Sequence, residues 1–135
     1  MFGNKPAKPD GRIDTLIGAA AHVDGDVHFT GGLRIDGTVK GNVVAEDTGT
    51  VIVSEEATVE GEIRVGHAVI NGKIIGPIYG AESVELQPKS NVNGDVHYKS
   101  LEVALGAIVQ GRLVHTADAR AEKIVSFKPN AAESD

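Results

Sequence analysis

Val23-Asp24-Gly25-Asp26-Val27 returns almost unchanged as Val92-Asn93-Gly94-Asp95-Val96, and the same apolar–x–Gly–x–apolar unit fills the interval between them. It stands at Val39/Gly41/Val43, Val59/Gly61/Ile63 and Ile74/Gly76/Ile78, and once more at Val109/Gly111/Leu113. The leading apolar residues are 16, 20, 15, 18 and 17 positions apart, a mean step of 17.2. A fixed period on this scale marks a solenoid, in which each repeat buries its apolar face only against its neighbours. Secondary copies lie at Ile35/Gly37/Val39 and Ile70/Gly72/Ile74.

Within each unit the alternation has period two, which sends apolar side chains to one face of a strand and polar ones to the other. Val23, Val27 and Phe29 are expected to point inward, and Asp24, Asp26 and His28 outward. Half-alternating pieces such as Leu33/Ile35, Val51/Val53, Val84/Leu86 and Leu101/Val103 complete the repeats. A step near 17 leaves no room for a helix. Stacking each strand on its equivalent in the next repeat satisfies the backbone groups that a five-residue strand cannot satisfy alone. The expectation is an all-β, single-domain parallel β-helix of about six rungs, a rod of roughly 30 Å at the ~4.8 Å strand spacing.

Composition agrees. The 135 residues include 17 Val and 11 Ile against 6 Leu, with aromatics at only 4%, so the core must be aliphatic and built from strand formers. Cys is absent, which removes disulfides, thiol nucleophiles and Cys-ligated zinc and fits a reducing compartment. No run approaches the ~18 apolar residues of a membrane span, and no secretory signal is read at the N-terminus. The net charge of −6 argues against a nucleic-acid partner. That charge is concentrated in residues 15–115, whereas residues 1–14 carry a net of +1.

Residues 1–15 are rich in Pro, Gly and charge and read as a disordered N-terminal tail; 16–115 read as the β-helix; 116–135 read as a C-terminal tail with at most two helical turns over 117–124. Soluble solenoids usually seal their ends, because a terminal rung exposes unpaired backbone and the cross-section of the core. Neither tail supplies a convincing seal. End-to-end association is the natural consequence.

The repeated units, the opening Leu16-Ile17-Gly18 and the run Gly32-Leu33-Arg34-Ile35-Asp36-Gly37 resemble the bactofilins over about residues 15–115. The resemblance implies a right-handed β-helix that polymerises without nucleotide into non-polar filaments. It implies a bacterial cytoskeletal scaffold that brings cell-wall or morphogenesis proteins to the cytoplasmic face of the inner membrane. Met1, Phe2, Lys5 and Lys8 match the Met-Phe-x-x-Lys-x-x-Lys segment with which many bactofilins contact lipid. An aromatic at the interface and two cations, each contributing ~1 kcal/mol near anionic lipid, make a weak anchor that a polymer multiplies. The resemblance also implies a polymer contact at Ile108 and Val109, with Leu113 on the same alternation, and at Leu16, Ile17 and Val23 at the opposite end. Phe127 is a further candidate, folding over the end as a partial cap or lying in the tail; the sequence leaves both open.

Catalytic and metal sites are not expected. His28 and His97 follow equivalent glycines four rungs apart, about 19 Å in one column at the ~4.8 Å spacing, so they cannot share an ion. His97 and His115 fall on opposite faces. The carboxylates Asp24, Asp26, Glu60, Glu62 and Asp95 occupy outward positions, where ladders with Arg34, Lys40, Arg64 and Lys73 of adjacent rungs are expected. No glycine is followed by the Lys-Ser/Thr of a phosphate loop, so neither nucleotide nor another cofactor is expected. The rival reading is a left-handed β-helix acyltransferase or γ-type carbonic anhydrase. Aliphatic or aromatic residues recur every sixth position at Ile17, Val23, Phe29 and Ile35, at Val53, Val59 and Val65, and at Leu86, Val92 and Tyr98. Rung steps that wander from 15 to 20 break that rhythm.

Overall fold

The computed structural model describes residues 13–46 and 48–116. Its sixteen strands form six three-sided turns. The first turn holds β1 (Thr15–Ile17), β2 (His22–Asp24) and β3 (Val27–Phe29), and the second β4 (Gly32–Ile35), β5 (Thr38–Lys40) and β6 (Val43–Ala45). The third begins with β7 (Thr50–Val53) and β8 (Thr58–Glu60) and runs into β9 (Ile63–Ile70), which continues into the fourth turn. There β10 (Lys73–Ile75) leads to β11 (Ile78–Leu86), which passes in the same way into the fifth turn with β12 (Asn91–Asn93) and β13 (Val96–Tyr98). The sixth turn is β14 (Leu101–Val103), β15 (Ile108–Gln110) and β16 (Leu113–His115).

Equivalent strands stack in parallel with aligned register, which makes three walls. The first wall runs β1-β4-β7-β9-β11-β14, the second β2-β5-β8-β10-β12-β15, and the third β3-β6-β9-β11-β13-β16. Inward columns interlock at the centre. On the second wall Val39, Val59, Ile74 and Val92 stand one above another, and on the third Val43, Ile63, Ile78 and Val96, all wholly buried. Phe29 is the one aromatic ring among the buried hydrophobic residues, in agreement with the aliphatic core expected from composition.

The repeated unit is a corner and not a continuous strand. Val23 lies on β2 and Val27 on β3, and Gly25 makes the bend between them with φ of 131°, a conformation open to glycine. Inward pointing is kept on both sides of the bend, which is why the alternation looks unbroken in the sequence. The residue after the corner glycine then supplies a second ladder. Asp26 Oδ1 accepts the Asn42 N–H at 2.9 Å, Asn42 Oδ1 accepts the Glu62 N–H at 2.9 Å, and Asp95 Oδ1 accepts the Arg112 N–H at 2.9 Å. Pro77 holds this place above Glu62 and has no N–H to satisfy.

The wider corner between the first and second walls is closed by turns in which Ala21, Ala57, Ser90 and Ala107 donate to the carbonyls of Gly18, Ser54, Gln87 and Ala104. The buried Ser90 hydroxyl also donates to the Gln87 carbonyl, at 2.8 Å.

Candidate polymer interface

A solenoid strand needs a neighbour on each side. Among the described residues β1, β2 and β3 pair only with the second turn, and β14, β15 and β16 only with the fifth. Both ends therefore present a row of unpaired parallel-sheet donors and acceptors.

The side chains repeat the pattern. Val109 is in register with Val92, and Leu113 with Val96. Inside the rod these columns are wholly buried, yet Val109 is only half-buried and Leu113 is 47% exposed, because no seventh turn covers them among the described residues. Ile17 and Val23 stand in the same situation at the other end, in register with the buried Ile35 and Val39. These four residues are core residues lacking one layer of core.

Leu16 and Ile108 are placed differently. Leu16 is in register with Arg34 and Ile108 with Asn91, so both stand on the outer surface of a terminal turn, Leu16 with 58% exposure. Phe127 and the lipid-contact candidates Met1, Phe2, Lys5 and Lys8 lie outside the described residues, as does the short helix considered for 117–124.

Two residues at the C-terminal end escape a reading based on the repeated units alone. Val103, in register with the wholly buried Leu86, is half exposed. Leu105 sits at the tip of the turn that closes the last rung and is 95% exposed. The matching turns place Ala19, Glu55 and Pro88 there, so a large apolar residue at a position otherwise given to small, polar or turn-forming types is the signal that finds it. Val103, Leu105, Ile108 and Leu113 together make the C-terminal end the more apolar of the two; Ile13 and Leu16 are the large exposed hydrophobics at the N-terminal end.

The flanks of the rod are charged. Arg34 pairs with Asp36 at 2.9 Å and Arg64 pairs with Glu62, each two residues along the chain and not across rungs as the sequence suggests. Arg112 does reach across, to Asp95 at 3.2 Å. Hydrogen bonds from the Arg34 guanidinium and the Ser54 hydroxyl hold the Asp36 carboxyl below its ordinary pKa, and the Arg112 backbone N–H and guanidinium do the same for Asp95. On the third wall Arg64, Tyr79 and His97 form an outward ladder. The Arg64 guanidinium lies 4.3 Å from the Tyr79 ring centre, and the Tyr79 and His97 rings stack at 4.5 Å. His28 stands in that same column three registers below Tyr79, with Nδ1 3.1 Å from the Glu46 carboxylate. Among the described residues no group of three His, Cys, Asp or Glu is placed to hold a metal ion.

Comparison with known proteins agrees with this geometry. A family model for bactofilin, described as polymer-forming cytoskeletal, matches residues 15–114. The chain is 30% identical over 100 residues to bactofilin BacO of Myxococcus xanthus (strain DK1622), covering 74% of this chain and 78% of that one. It is 27% identical over 100 residues to bactofilin BacP of the same organism, covering 74% of this chain and 41% of BacP. No solved structure gives a significant match. A six-turn rod whose end strands lack a second partner among the described residues, and a family match across nearly all of it, lead to one assignment: the chain belongs to the bactofilins, a family of polymer-forming cytoskeletal proteins whose role is structural and not enzymatic.

Proposed function

We propose that this chain polymerises end to end, without nucleotide, through the apolar faces of its first and last turns. The filament is held on the cytoplasmic face of the inner membrane by the Met1–Lys8 segment and positions cell-wall or morphogenesis proteins there. The observation that carries the polymer contact is the contrast within single columns: Val92 and Val96 are wholly buried, and Val109 and Leu113, one turn further on, are not. Fully burying a side chain of this size contributes about 1.5–3 kcal/mol, so docking a further apolar turn supplies several kcal/mol before any strand pairing is counted. The acyltransferase and anhydrase reading falls away with membership of a structural family.

Negative-stain electron microscopy of the purified chain, with neither nucleotide nor metal added, tests this. The unaltered chain is expected to form long thin filaments. Val109→Arg, which places an unpaired charge at the junction, is expected to leave folded single rods. Filaments of undiminished length from that variant would place the contact elsewhere.

A further inference from the structure

Along the corner between the third and first walls runs a groove of about 420 Å³. Gly66 and Gly80 line it with backbone, beside Val44, Ala45, Thr48 and Val65. A Cβ on Gly66 would stand 2.8 Å from the Thr48 Cα, and one on Gly80 would collide with the Val84 side chain, so both positions exclude a larger residue. Ala81 continues the floor, Tyr79 and His97 form one side, and Thr116 closes the C-terminal end. The surface is mostly apolar, with a stacked aromatic pair along one side.

Thr116 is also the last described residue. Its N–H donates to the Tyr98 carbonyl at 2.6 Å and its hydroxyl to the same oxygen at 3.1 Å, so the chain is pinned to the rod at the mouth of the groove. The nineteen residues that follow begin with the polar run Ala117-Asp118-Ala119-Arg120-Ala121-Glu122-Lys123, and their only cluster of large apolar residues is Ile124-Val125-Ser126-Phe127. From Thr116 to the level of Tyr79 is two rungs, about 10 Å at the ~4.8 Å spacing. The eight residues 117–124 span on the order of 26 Å when extended, which reaches that level with slack.

We propose that the groove is a docking site for this chain's own C-terminal segment, with Ile124–Phe127 laid over Gly66, Gly80 and Ala81 and the Phe127 ring against the Tyr79–His97 stack. The occupant is chosen by attachment: a segment tethered at the mouth is present at millimolar effective concentration, whereas an unattached peptide must pay its full association entropy.

The test replaces Phe127 with the photo-crosslinking analogue p-benzoylphenylalanine in the full chain and locates the cross-link by mass spectrometry, in a mixture of isotopically light and heavy protein. The expected result is a cross-link within one chain to the peptide carrying Tyr79–Ala81, lost when Ala81→Arg fills the exposed floor and retained in Leu105→Arg. Cross-links to residues 101–113 mean that the segment covers the C-terminal end of the rod and overturn the proposal. Light–heavy products mean that a second copy fills the groove, and absence of any cross-link means that the segment stays in solvent; each overturns it as well. The location is read on the chain with no groove substitution, so it does not depend on Ala81→Arg folding normally.

Discussion

Gly61 lies directly above Gly41, so closely that a Cβ on Gly61 would overlap the Gly41 carbonyl oxygen. The same relation joins Gly76 to Gly61, Gly94 to Gly76 and Gly111 to Gly94, a column of corner glycines running the length of the rod. A methyl group there must separate two turns that the corner glycines join by backbone hydrogen bonds at 2.9–3.1 Å. Gly61→Ala is therefore expected to destabilise the fold by more than ~3 kcal/mol, beyond the ~1–3 kcal/mol of a strained backbone angle alone. Gly25→Ala meets no atom within 4 Å and should show only the backbone cost. Urea denaturation of both variants, each combined with Val109→Arg to prevent assembly, checks this; equal losses would refute the steric account.

Leu105 supplies a separate test of assembly. Its side chain is almost fully in solvent and contributes nothing to the core, so Leu105→Asp should leave the denaturation midpoint within experimental scatter. In the polymer it would bring a charge to the more apolar end of the rod. The critical concentration for sedimentation of filaments is expected to rise at least ~10-fold, equivalent to about 1.4 kcal/mol per junction. Unchanged sedimentation would move the junction away from this turn.

Much of this geometry is legible in the sequence because one physical requirement repeats. Each turn must offer an apolar residue on either side of a corner that only glycine can occupy, and that requirement writes the period directly. The outward column shared by His28 and His97, and the opposite facing of His97 and His115, follow from counting along the same frame. The corner itself is hidden, because Val23 and Val27 point inward from two different walls and their spacing of four imitates one strand. Adjacent apolar residues are also ambiguous: Leu16-Ile17 has no preferred phase until β1 takes its register on Arg34 and Ile35. Leu105 lies in a turn, outside any alternation, and only alignment of the turns one upon another exposes it.

Asp95 ties the last turn to the one beneath it through the Arg112 N–H and guanidinium, which sets a pH dependence of known sign. Its carboxyl and that of Asp36 are held below their ordinary pKa in the folded chain. Groups of this kind release their protons more readily when folded, so their contribution is complete above the unfolded carboxylate pKa of ~3.9 and is lost as pH falls through the lower folded values. The contribution of these two carboxylates is expected to be constant from neutral pH to about 5 and to fall below about 4. In Asp95→Ala the amides of residues 112–114 should exchange hydrogen faster at neutral pH, with the amides of the central turns unchanged. Uniform acceleration through all six turns would show that the last turn does not open on its own.

The lipid contact rests on few residues and is correspondingly easy to separate from assembly. Phe2, Lys5 and Lys8 precede the first strand by seven or more residues, so their removal leaves every described strand and both apolar ends in place. One aromatic and two cations hold a single chain only weakly, since each Lys adds ~1 kcal/mol at an anionic surface. A filament presenting the segment at every subunit binds far more tightly through multivalency. Deletion of residues 2–8 should therefore abolish co-sedimentation with anionic vesicles while filaments still form in solution. The combination of an intact N-terminus with Val109→Arg should bind the same vesicles weakly and lose that binding at raised salt. If the single rods bound as tightly as filaments, the avidity argument would fail, and retained binding after the deletion would transfer the contact to the rod itself.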